Sequence, residues 1–117
     1  MKYIIGKNLI SRIKKVAIGE ILIYRICMDG QIGYYEISSE NFNMNNFYMC
    51  IDKSTKIIKF FATKNFNDEP IRIVDYNKDE KMGGIPGVPT KVFGIALLRA
   101  FKVLKMDSFP ECLNYAA

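Results

Sequence analysis

A chain of 117 residues, half of them hydrophobic and one quarter charged, fits one folded domain and is too apolar for a disordered segment. It contains no histidine, which excludes histidine acid–base chemistry, Ser–His or Cys–His nucleophile activation and histidine-ligated metals. The net charge is +5, and where that charge sits says more about partners than its size.

In chain order, Asn8 to Ala17 is predicted as an amphipathic helix. Leu9, Ile10, Ile13, Val16 and Ala17 share one face, while Lys7, Arg12, Lys14 and Lys15 lie around the other. Asn8 is the expected N-cap and Gly19 the expected stop. The same charges interrupt any apolar run before Gly19, so this stretch does not read as a signal peptide.

Ile21 to Met28 is rich in β-formers, and Asp29-Gly30 is a turn signal that sends Ile32 to Ile37 back as a hairpin. Ser38 to Asn46 is polar and reads as a loop. Phe47 to Asp52 is the next strand, Lys53-Ser54-Thr55 the next turn, and Lys56 to Ala62 the fourth strand. Thr63 to Pro70 is a polar connection into a short strand, Ile71 to Asp75. Tyr34 and Tyr35 must point to opposite faces of their strand, so a sheet with one wet face leaves one of the pair outside the core.

The glycine- and proline-rich run Gly83 to Pro89 lacks the Lys-Ser or Lys-Thr of a phosphate loop, since Val88 follows Gly87; it reads as a rigid turn. Thr90 is the expected N-cap of a last helix, Lys91 to Met106. Phe93, Ala96, Leu97, Ala100, Phe101 and Leu104 form its apolar face. Lys91, Arg99, Lys102 and Lys105 form a basic stripe that also holds Ile95 and Leu98. The segment Phe109 to Tyr115 is the expected cover for those two apolar residues, with an exposed interface patch as the alternative. Val92 to Leu104 is too short and too charged to span a bilayer.

These elements predict an α+β domain over residues 1–117. Its antiparallel sheet has four to five strands, with an N-terminal and a longer C-terminal helix packed against it. The three cysteines, Cys27, Cys50 and Cys112, are odd in number and widely spaced. They read as reduced thiols in a cytoplasmic protein, with no metal site and no cofactor.

The charges fall in blocks. Five bases precede the first acid, Glu20. Asp29, Glu36, Glu40 and Asp52 follow Arg25 without a base between them, and then Lys53, Lys56, Lys59 and Lys64 without an acid. Asp68, Glu69, Asp75, Asp79 and Glu80 outweigh Arg72 and Lys78. Separate fields of each sign, with no catalytic set, point to a protein that works by binding rather than as an enzyme. The alternative is a small nucleic-acid-binding or regulatory module using the basic N-terminal helix.

The segments NFNDEPIRIVDYN, GGIPGVPTKV and SFPECLNYAA resemble the C-terminal half of bacterial immunity proteins of contact-dependent growth-inhibition and polymorphic toxin systems; the resemblance runs from about Ile57 to Ala117. It implies a protein that binds the toxin domain of its own locus, of the nuclease class, and blocks its active site or substrate access. Nuclease clefts are basic because they bind phosphate, so carboxylates are the expected contacts. Asp68, Glu69, Asp75, Asp79 and Glu80 are the candidate partner-binding residues, with Tyr76 as an aromatic anchor beside them; Tyr34, Tyr35 and Tyr48 are further candidate anchors. An inhibitor of a basic toxin is expected to be acidic overall, and this chain departs from that.

Overall fold

The computed structural model describes residues 21–40, 42–78 and 83–113. The helix predicted over Asn8 to Ala17 lies outside them, as do Asp79 and Glu80. The described chain forms β1 (Leu22–Asp29), β2 (Ile32–Ser38), β3 (Phe47–Asp52), β4 (Ile57–Phe61), β5 (Arg72–Asp75) and one helix, α1 (Thr90–Leu104). The strands make a single antiparallel meander in the order β1-β2-β3-β4-β5.

Alternation builds the two faces. Along β2, Gly33, Tyr35 and Ile37 are buried while Ile32, Tyr34, Glu36 and Ser38 are only partly so. Paired residues share a face, so the inner face collects Ile23, Tyr35, Ile37, Phe47, Met49, Ile51, Ile58, Phe60 and Val74. The helix lays Val92, Phe93, Ala96, Leu97, Ala100 and Val103 into the same core, with the Phe93 and Phe60 rings 5.0 Å apart.

The first hairpin closes on Gly30-Gln31. Gly30 has φ +60°, and a glycine at the first central position suits the tight turns that match strand twist. Between β3 and β4 the Asp52 carboxylate holds the turn, with its Oδ1 accepting from the Ser54 backbone N–H at 2.9 Å, the Ser54 hydroxyl at 2.7 Å and the Thr55 N–H at 3.3 Å.

The start of α1 differs from the sequence expectation. Thr90 is the first helical residue and not the cap; Pro89 takes the cap position at φ −57°, ψ 139°, with no side-chain cap bond. Its ring already fixes an extended entrance, and its carbonyl accepts the Phe93 N–H at 3.1 Å.

The segment after α1 also differs. Up to Leu113 it leaves Leu98 59 % exposed, while Ile95 is partly buried against the core. It runs instead along β1, with the Arg25 N–H donating to the Glu111 carbonyl and the Leu113 N–H to the Ile23 carbonyl, each at 2.8 Å. An edge strand presents unpaired backbone groups, and this segment pairs with two of them, at Ile23 and Arg25, while burying Phe109 and Leu113. Side chains fix it further. Arg25 Nη1 donates to the Phe109 carbonyl at 2.6 Å and the Tyr35 hydroxyl to the Pro110 carbonyl at 2.7 Å. Lys53 Nζ donates to the Met106 and Ser108 carbonyls and sits 4.3 Å from the centre of the Phe109 ring. No helix among the described residues is long and apolar enough to cross a membrane.

Candidate binding surface

The helix covers one face of the sheet. On the other, no described helix or strand forms a second layer, and the register orders its side chains in rows. Cys27, Tyr34, Cys50, Lys59 and Ile73 make one row, each opposite the next. Asp29, Ile32, Asp52, Ile57 and Asp75 make the adjoining row at one end of the sheet. On the other side of the first, Tyr24, Glu36, Tyr48 and Phe61 make a third.

The polar loop between β4 and β5 folds over this face through its single aromatic residue. The Phe66 ring lies 4.6 Å from Tyr34, 5.2 Å from Phe61 and 6.4 Å from Tyr48, two of the three contacts edge-on. The loop is braced from within: Asp68 accepts from the Asn65 side-chain amide at 3.0 Å and from the Thr63 hydroxyl at 3.5 Å, and the Asn67 N–H donates to Asn65 Oδ1 at 3.1 Å.

Between Phe66 and the β3–β4 turn lies a cleft of about 250 Å³, lined by Ile32, Tyr34, Cys50, Asp52, Thr55, Ile57, Lys59, Phe61 and Phe66. Burial raises the Tyr34 hydroxyl above its ordinary range, and Cys50, Cys27, Asp29 and Asp52 around it add to the shift. Burial also pushes the Cys50 thiol up to about 11 against the pull of Lys59, so at neutral pH it is a protonated, weakly nucleophilic group. For Asp52 burial acts upward, but the bonds from Ser54 and Thr55 prevail and hold the carboxyl below its usual value, so it is charged at neutral pH. Burial, reinforced by Glu36, raises Tyr48, whose hydroxyl donates to Glu36 Oε2 at 3.3 Å; the Asn46 amide donates to the same oxygen at 3.2 Å.

The sequence-predicted residues scatter relative to this surface. Asp68 and Glu69 stand exposed on the bracing loop, before the start of β5. Asp75 lies at the far end of β5, on the acidic row, where its Oδ1 accepts the Asn77 N–H at 2.9 Å. Tyr76 is half-buried and not a free anchor: its ring packs 4.9 Å from Phe101, with Lys105 Nζ 5.8 Å from its centre. Tyr35 is wholly buried and Tyr48 nearly so, which leaves Tyr34 as the tyrosine on the cleft. The sequence pattern placed Asp29, Asp52 and Lys59 in charge blocks but not among the partner-binding residues, and it did not single out Phe66. Strand alternation carried the signal for the first three, and a lone aromatic in a polar connection carried it for Phe66.

The outer-face positions of the five strands hold four carboxylates, Asp29, Glu36, Asp52 and Asp75, against one cation, Lys59. The helix carries Lys91, Arg99, Lys102 and Lys105 on the opposite side of the sheet, beside exposed Leu98. A chain that is basic overall therefore has an acidic sheet face. Among the described residues no group of three or more acids or cysteines could hold a metal ion. No family model, curated protein or solved structure matches the chain.

Proposed function

We propose that this chain is an immunity protein that seats a toxin domain against the outer face of its sheet and so blocks the toxin's active site or substrate access. The observation that carries this reading is the sheet face that no described helix or strand covers: hydrogen-bonded strands, a preformed aromatic cluster at Phe66 and a net negative charge. Aromatic anchors on a rigid scaffold give affinity with little ordering cost, and carboxylates steer a basic partner onto the face. The charge segregation removes the conflict between a basic chain and a basic, phosphate-binding toxin cleft: the surface offered is acidic whatever the total. Phosphate would be repelled by the same face, which argues against nucleic acid as its occupant.

The test is co-expression with the toxin of the same locus. Rescue of growth and a co-purifying complex are expected, and neither would be seen if the reading is wrong. Charge reversal at Asp68, Glu69 and Asp75 is expected to weaken that complex at low salt and to matter less at high salt. Unchanged affinity would move the interface off this side of the molecule.

A further inference from the structure

From the cleft between Phe66 and the β3–β4 turn we infer that the outer face receives an arginine side chain of its partner, its guanidinium against the Asp52 carboxylate and the Tyr34 and Phe66 rings. The inference rests on the reading of this face as the docking surface, but it needs nothing about the partner's activity.

Three features select the occupant. The cleft is lined by the Tyr34 and Phe66 rings, in contact with each other at 4.6 Å between centroids, and by Ile32 and Ile57, which suits a side chain with an apolar stem. It contains one carboxylate, held ionised by its own turn, whose Oδ1 accepts the backbone N–H groups of Ser54 and Thr55 and the Ser54 hydroxyl. Its row adds Asp29 and Asp75, so the field at this end of the sheet favours a cation. Of the two basic side chains, arginine fits better, because a guanidinium stacks on aromatic faces and is more weakly hydrated than an ammonium. Lys59 is the opposing charge on the cleft wall and balances Asp52 within it; Asp29 and Asp75, in the row of Asp52, add negative charge beside the cleft.

Titration of the full chain with N-acetyl-arginine amide, followed by backbone amide NMR, tests the inference. Saturable shifts are expected at Ile32, Tyr34, Thr55 and Ile57, with a dissociation constant of roughly millimolar. N-acetyl-norleucine amide, apolar and uncharged, should bind at least about fivefold more weakly. Asp52→Asn keeps an oxygen to accept from Ser54 and Thr55 while removing the charge, and should weaken arginine binding about fivefold. Lys59→Glu gives a second reading in the opposite sense: it should tighten arginine binding severalfold. Equal binding of the norleucine probe, no saturation at these amides, or indifference to both substitutions would overturn the inference, as would shifts of the same amides by a short oligonucleotide. Because the probe is a free amino-acid derivative, these outcomes do not depend on finding a toxin. A chain that binds arginine here yet fails to protect against its toxin would keep the cleft and lose the immunity reading.

Discussion

The ring of Phe66 rests 4.6 Å from the ring of Tyr34, which ties a loop of otherwise polar residues to the middle of the sheet's outer face. Phe66 also closes over Tyr48 and Phe61, two aromatics that a single-layer face would leave wet. One side chain thus lines the cleft and packs on the aromatic residues beside it. Phe66→Ala is expected to cost about 1–2 kcal/mol of stability, less than a fully buried phenylalanine because Phe66 is only half-buried. If the proposed immunity function holds, it should also weaken binding of the toxin domain by tenfold or more, as loss of a central anchor does. Chemical denaturation and calorimetric titration separate the two effects; a stability loss with unchanged affinity would make Phe66 purely structural.

On the inner face, Phe109 packs so closely on Gly33 that a Cβ there would run into its ring. Gly33 thereby lets the segment after α1 lie flat against β2. Gly33→Ala is expected to destabilise by about 1–3 kcal/mol through overpacking and to loosen the segment from Phe109 to Leu113. Gly84→Ala is the control, since a Cβ at Gly84 meets nothing within 4 Å. Hydrogen exchange at the Leu113 amide, which bonds the Ile23 carbonyl, should quicken only in the first variant.

The strands were legible because turn residues separate them and Ile32 to Ser38 alternates without a break, although β1 shifts register between Arg25 and Cys27 and β3 buries Phe47, Tyr48 and Met49 in succession. The cleft was not, because it joins Asp52, Lys59 and Phe66, which stand in three different sequence contexts and meet only through register. The acidic blocks read along the chain do not map onto one element: Glu69 lies in the loop before β5, while Asp75 is the last residue of that strand. The path of the last segment was hidden for another reason. Its destination is decided by the hydrogen-bonding needs of the β1 edge, which no pattern within residues 106–113 records.

Lys56 closes the β3–β4 turn at φ +60°, where a side chain is unfavourable. Its N–H donates to the Asp52 carbonyl at 2.8 Å, so the turn holds the residue there. Lys56→Gly is expected to raise stability by up to about 1 kcal/mol, the left-handed penalty less the extra freedom glycine has when unfolded. Lys56→Val should lower it, because branching at Cβ worsens the same clash. A denaturant midpoint that falls for the glycine variant would show that the lysine makes a compensating contact.

Tyr35 gives the fold a signature at high pH. Burial pushes its hydroxyl up to about 12, with nearby Arg25 pulling the other way, and the hydroxyl donates to the Pro110 carbonyl at 2.7 Å. In the unfolded chain the same group titrates near its ordinary value of about 10. The folded state therefore holds the proton more tightly, and the unfolded state binds fewer protons between those two values. The stabilisation is complete below about pH 10, declines as pH rises from there, and is spent above about pH 12. Tyr35→Phe lacks the group that titrates, although it also loses the bond to Pro110 at neutral pH, at a cost of about 1 kcal/mol. The wild-type chain is thus expected to be the more stable of the two at pH 7, and its advantage should shrink and then reverse as pH rises from 10 to 12. Parallel unfolding curves for both proteins across that range check this, and they cancel the contributions of the lysines and the other tyrosines. A constant difference would mean that Tyr35 ionises in the folded state as easily as in the unfolded one, so that its hydroxyl does not hold the segment at Pro110 against the sheet.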